Sequence, residues 1–179
     1  MRNYFILCLL LMVSTLTFSQ KQHIQLTNGL LVAQLDRPEE KFTLEINLAE
    51  LFSAENVKVV PSLNLLKQGE IASVLVSDSV TKILKSKNID TYILVSVRGF
   101  DKKFKRSSHF EVLSNELASS HLFPLFRDDI LSVTFEFTCY RNNEVVGNEL
   151  LRIKNVDSKD KVIKKLRKKL PKLISKWKK

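Results

Sequence analysis

The sequence predicts an α/β fold: a mixed sheet of about five strands, ordered β-α-β-α-β, followed by an antiparallel hairpin and a C-terminal amphipathic helix. Three observations carry this. Apolar, β-rich runs such as Leu30–Leu35 and Thr91–Val97 alternate with stretches of helical periodicity, the pattern that lays helices against a sheet. Leu131 to Cys139 alternates along one strand, and a turn at Arg141–Glu144 returns the chain as Val145–Ile153. From Lys161 to Lys179, Val162, Ile163, Leu166, Leu170, Leu173, Ile174 and Trp177 form one continuous apolar stripe at helical spacing.

Each element has local support. "LLVAQL" (30–35) reads as a buried strand, and "DRPEE" after it as a helix start. Asp36 is the expected cap, Pro38 suits a first turn, and Glu39 and Glu40 complement the helix dipole. Leu44, Leu48, Leu51 and Phe52 then mark one helical face that ends near Asn56. Val57–Leu66 turns to β-rich residues, with Pro61 demanding an edge position or a bulge. Gly69 centres a loop. Ser77 and Asp78 cap a helix whose inner stripe is Val80, Ile83 and Leu84. Thr91–Val97 is near-continuously apolar, as in a strand covered on both faces. After Arg98–Gly99 the chain becomes a polar, basic loop, and Glu111–Ser120 holds a short helix. In the hairpin, Leu131, Val133, Phe135, Phe137 and Cys139 face one way and Ser132, Thr134, Glu136 and Thr138 the other. Asp157–Ser158 caps the last helix, and Pro171 predicts a kink there or two abutting helices.

The ends bound the compartment. Met1–Ser19 has a single charge at Arg2, an apolar run from Tyr4 to Val13, and small residues Thr17 and Ser19 before a cut at Gln20, the order of a secretory signal. The apolar run is shorter than the roughly 20 residues a membrane span needs. Cys8 lies inside that run rather than at the cut, so lipidation is not expected. The expected organisation is therefore a signal peptide, 1–19, and a single α/β domain, 20–179, ending in a basic helix from about 158 to 179. The mature chain keeps one cysteine, Cys139, expected as a buried small hydrophobe with no disulfide.

The run from Leu30 through "VVPS" (59–62) and "KNID" (87–90) to "TYILVSVRG" (91–99) resembles the small periplasmic α/β domains of Gram-negative envelope proteins. These are the domains of curli-secretion lipoproteins, of TolB-type N-terminal regions and of their secreted relatives. Val60-Pro61-Ser62 is the most specific piece. The resemblance implies a non-enzymatic assembly or interaction module in the periplasm or cell envelope, and it assigns no functional residue.

Motifs of chemistry are sparse. Gly29, Gly69, Gly99 and Gly147 are far apart, so neither a phosphate-cradling loop nor a dinucleotide fingerprint is present. His23, His109 and His121 lack metal-ligand spacing, and Asp128-Asp129 reads as capping of the next strand. No glycine-flanked serine elbow occurs. No cofactor or metal is expected. A small-ligand or catalytic cleft beyond the C-terminal ends of the strands would draw on Asp36, Arg37, Arg98 and Asp101.

Two basic segments remain as candidate contacts. The loop "DKKFKRSSHF" interleaves Lys102, Lys103, Lys105 and Arg106 with Phe100, Phe104 and Phe110, and phenylalanines pinning it to its own core is the favoured reading. The chain carries 29 basic and 19 acidic residues, so +10, or +9 without Arg2. Residues 154–179 hold 12 basic and 2 acidic residues, so +10, and the body is about −1. The first half of that tail is expected to pack on the domain. Beyond Pro171, docking and exposure are both open, and Lys172, Lys176, Trp177, Lys178 and Lys179 are the candidates for touching an acidic membrane surface or an envelope protein. Nucleic acid would use the same lysines, but an exported chain rarely meets it.

Overall fold

A computed structural model describes residues 24–67, 69–119 and 123–178. The signal segment, His23, His121 and Lys179 lie outside the described residues. The strands are β1 (Asn28–Gln34), β2 (Lys58–Pro61), β3 (Thr91–Phe100), β4 (Ser132–Arg141) and β5 (Glu144–Lys154), and the helices α1 (Pro38–Ala54), α2 (Asp78–Ser86), α3 (Leu113–Ala118) and α4 (Lys159–Trp177). They build one mixed sheet in the order β2-β1-β3-β4-β5, parallel from β2 to β3 and antiparallel from β3 to β5. This is the α/β architecture that the periodicity predicts.

Helices cover both faces. On one face, Leu44, Leu48 and Phe52 of α1 and Val162 through Trp177 of α4 join Leu31, Ala33, Ile93, Val95, Phe135 and Phe137. On the other, Leu75, Val80, Leu84, Leu113 and Leu117 pack on Leu30, Val32, Leu94 and Tyr140. Alternation along each strand separates the two cores.

Several local expectations are corrected. The cap of α1 falls at Arg37 rather than Asp36, and no side chain satisfies it. Arg37 precedes Pro38, which holds it extended (φ −107°, ψ 123°), so the non-helical position is displaced by one residue. Ile83 is 43% exposed, because the short α2 meets the sheet along Val80 and Leu84 alone. β3 is longer than the expected Thr91–Val97: a bulge between Val97 and Gly99 lets it run on to Phe100. Leu131 does not share the inward row and is 73% exposed. Its N–H donates to Asp101 Oδ1 (2.8 Å) and its carbonyl accepts from Val156 N–H (3.3 Å), which fix the backbone outside the ladder.

Other expectations hold. Pro61 ends β2, an edge strand. Asn142 and Asn143 take φ of 52° and 67° and turn the hairpin. Ser158 caps α4, its hydroxyl accepting from Lys161 N–H (3.3 Å).

Pro171 neither ends α4 nor splits it: one helix runs from Lys159 to Trp177. A proline withdraws one backbone hydrogen bond and crowds the previous turn. Here both sides of it are anchored in the core, with Leu166 and Leu170 before it and Leu173, Ile174 and Trp177 after it buried. Leu26 N–H donates to the Trp177 carbonyl (2.8 Å), fastening the final turn beside β1. The open question at the end of the chain therefore closes in favour of docking.

Candidate functional site

Two buried carboxylates tie α1 to the rest of the fold. Glu45, fully buried on α1, accepts from Ala33 N–H (2.9 Å) and the Ser62 hydroxyl (2.7 Å) through Oε1, and from Leu63 N–H (3.2 Å) through Oε2. Burial pushes its carboxyl above the ordinary range, against the lowering effect of these donors. Glu40 accepts from Leu125 N–H (2.6 Å) and pairs with Lys159, tying the starts of α1 and α4 to the segment before β4. Sequence reasoning assigns Glu40 only to the helix dipole and passes over Glu45. The available signal is position, since Glu45 sits next to Leu44 and three residues before Leu48 on the inner face.

The two basic segments meet on β5, the outer strand. The loop after β3 reaches it twice: Arg106 pairs with Glu149 (2.7 Å), and Arg152 donates to the Asp101 carbonyl (3.2 Å). The ring of Phe104 lies over Gly99, where an added Cβ would stand 2.6 Å from Cζ. That contact pins the loop through Phe104 alone, since Phe100 belongs to β3 and Phe110 is 40% exposed. From the other side, Lys165 Nζ donates to the Lys154 and Asn155 carbonyls (2.7 and 2.9 Å) and Lys169 Nζ to the Arg152 carbonyl (2.7 Å). Lysines laid over a sheet edge in this way blunt its pairing with other strands.

The cations of α4 divide into spent and free. Lys159 pairs with Glu40, Lys161 with Asp157, and Arg167 with Glu50 (2.6 Å) and Asn47 (2.9 Å through Nε). Lys161 also holds the Asp157 carboxyl below its usual range. Lys178 Nζ donates to the Glu55 carbonyl (2.6 Å). Lys164, Lys168, Lys172 and Lys176 are exposed, spaced four residues apart, and no carboxylate among the described residues lies within ion-pairing distance of any of them. Lys102, Lys103 and Lys105 are likewise exposed and without an ion pair among the described residues. Trp177 is the correction here: at 3% exposure it stacks on Phe52 (6.3 Å, 14°) and meets Phe137 (5.7 Å), so it offers nothing to a partner.

The four residues proposed for a cleft go to separate tasks. Asp36 is exposed, Arg37 lies 3.7 Å from Glu40, and Asp101 accepts the Leu131 and Ser132 N–H groups (2.8 and 2.7 Å). Asp101, rather than Asp128-Asp129, thus organises the start of β4. Arg98 alone lines a crevice, of about 340 Å³, with Gln34, Ser96, Glu111, Glu116 and Glu136. The crevice lies at the C-terminal ends of β1 and β3, where the order of the parallel strands reverses. Arg98 is 3.6 Å from Glu136, which also accepts from Asn148 (2.9 Å), and Gln34 donates to the Glu116 carbonyl (2.9 Å). Cys139 is buried and its thiol is pushed up to about 12 by burial, which keeps it protonated and unreactive. Among the described residues no group of three His, Cys, Asp or Glu is placed to hold a metal ion, and no helix is long and apolar enough to cross a membrane.

No protein-family model matches the chain, and no curated protein matches it in sequence. Solved structures with a similar layout include a dodecamer of a PelC point variant from Paraburkholderia phytofirmans, at 11% identity over 88% of this chain and 94% of that one, TM-score 0.44. A second PelC dodecamer from the same organism matches at 11% over 85% and 89%, TM-score 0.43. Lipoprotein GNA1162 from Neisseria meningitidis matches at 10% over 83% and 96%, TM-score 0.45. At these scores the likeness is a loose one of layout, and no property of those proteins transfers to this chain.

Proposed function

We propose that the protein is an exported, non-enzymatic binding module of the cell envelope that contacts an acidic partner through the basic surface on β5 and α4. The observation that carries this is the row of four exposed lysines on α4 with no carboxylate among the described residues to meet them. Like charges four residues apart on a helix destabilise it by about 0.2–0.5 kcal/mol per pair, so the row has no evident structural use. The signal-like order of Met1–Ser19 supports export to the periplasm or beyond, with residues 20–179 as one domain. The test is recovery of partners from envelope extracts with the exported protein and with a Lys168→Gln/Lys172→Gln/Lys176→Gln variant. The reading expects the variant to retain far less material, and equal recovery contradicts it.

A second reading has its own observation, the crevice at the ends of β1 and β3. There the protein would hold a small polar ligand against Arg98, Gln34 and Ser96. Arg98→Ala should then abolish a ligand-dependent rise in melting temperature found by screening small polar metabolites, and a screen without any rise removes this reading.

A further inference from the structure

We infer that the outer face of α4 docks on an anionic phospholipid bilayer through Lys164, Lys168, Lys172 and Lys176, and that no apolar side chain of the helix enters the lipid. The inference rests on the proposed contact with an acidic partner and names that partner and the mode of contact.

Three features of the helix select a bilayer. The first is the kind of cation. Residues 159–177 contain eight Lys and one Arg against one Asp, net +8, and the Arg is already engaged by Asn47 and Glu50. A partner with discrete carboxylates or phosphates is best gripped by the planar fork of Arg, whereas compact Lys charges on flexible stems suit a diffuse field of headgroups. The second is the shape of the charge. At about 1.5 Å rise per residue, four lysines at four-residue steps put a charge every 6 Å or so along an exposed ridge. The third is the absence of a stacking surface in the helix, whose one ring, Trp177, is 3% exposed and turned inward. A single-stranded nucleic acid would need such rings.

The mode of contact follows from burial. An interfacial amphipathic helix binds by sinking its apolar face into the lipid boundary. Here that face is taken: Leu166, Leu170 and Ile174 are 0% exposed and Leu173 is 7%. What is left is charge alone, so the attachment is reversible, sensitive to salt and dependent on anionic lipid. No acidic residue lies in the segments outside the described residues, since residues 1–23, 68, 120–122 and 179 contain neither Asp nor Glu. The side chains of the chain therefore offer no hidden counter-charge for the ridge.

Flotation of the chain starting at Gln20, which carries every strand and helix among the described residues, tests this. Vesicles of phosphatidylglycerol mixed with phosphatidylcholine are compared with phosphatidylcholine alone, at low salt and at about 0.15 M. The expected result is flotation with the anionic vesicles only, weakened by salt. Replacing all four lysines by Gln should lower the affinity by roughly a hundredfold or more, and replacing them by Arg should preserve it. Unchanged melting temperatures show that the variants fold. Flotation that the Gln variant leaves intact overturns the α4 site. If wild type fails to float yet is retained on polyglutamate, the partner is an acidic protein: the bilayer is overturned and the broader reading stands. If it binds neither, both fall and the ridge is a solvated face.

Discussion

At the scale of single residues, Glu45 is where the fold is most sensitive. Its carboxylate satisfies two backbone N–H groups and one hydroxyl, joining β1 to the turn after β2 through α1. Leaving a buried donor unpaired costs about 1–3 kcal/mol each, so Glu45→Ala should lower unfolding stability by roughly 3 kcal/mol or more, measurable by urea titration. The charge itself has a pH signature. Because burial raises the folded-state pKa above the ordinary 4.5 or so, the unfolded chain releases this proton first as pH rises. The contribution of Glu45 to stability is then largest in acid and declines as pH climbs from about 4.5 through the raised value. The difference in stability between wild type and Glu45→Gln should therefore shrink across that window, and a difference that is flat with pH contradicts the raised pKa. Gly99 is a second sensitive point. Its φ of 147° and the Phe104 ring 2.6 Å from any Cβ leave no room for Ala, so Gly99→Ala should free the basic loop from the sheet, seen as faster proteolysis near Lys102–Arg106.

At the scale of elements, α4 has two faces with different tasks. Trp177→Ala removes a ring packed between Phe52 and Phe137 and should cost about 3–5 kcal/mol, read as a fall in the urea midpoint. Lys168→Gln with Lys172→Gln touches nothing in the core and relieves repulsion along the row. It should leave stability unchanged or raise it by a few tenths of a kcal/mol at low salt, so a large loss would place these lysines in the fold instead. Much of this helix is legible in the sequence. Its stripe stays in phase through Leu170, Leu173, Ile174 and Trp177, which is the signal that the helix continues across Pro171. The expectation of two abutting helices follows from a local rule for proline that takes no account of the core contacts on either side of it. Likewise Leu131 fits the alternating pattern of β4, but the side chain of Asp101, thirty residues away in sequence, takes its N–H and starts the strand one residue later.

At the scale of the molecule, charge and core are segregated. The order of strands and helices, the hairpin and the placement of Pro61 on an edge can all be read from periodicity and turn residues. The meeting of the basic loop with α4 on β5 cannot, because it depends on strand order and on contacts such as Arg106–Glu149 and Lys169 to the Arg152 carbonyl. The four cleft candidates share a feature in sequence, proximity to strand ends, but the fold leaves Asp36 on the surface, pairs Arg37 with Glu40, places Arg98 in the crevice and uses Asp101 to start β4. The same arrangement separates binding from insertion, and Trp177, the sole tryptophan, reports on it directly. Its fluorescence, followed while anionic vesicles with brominated acyl chains are added, is the most direct measurement. The expected result is the blue-shifted emission of a buried indole before addition and no quenching once the protein has bound. Emission typical of an exposed indole, or quenching by the brominated chains on binding, would show that the end of α4 leaves the core for the lipid and would contradict it.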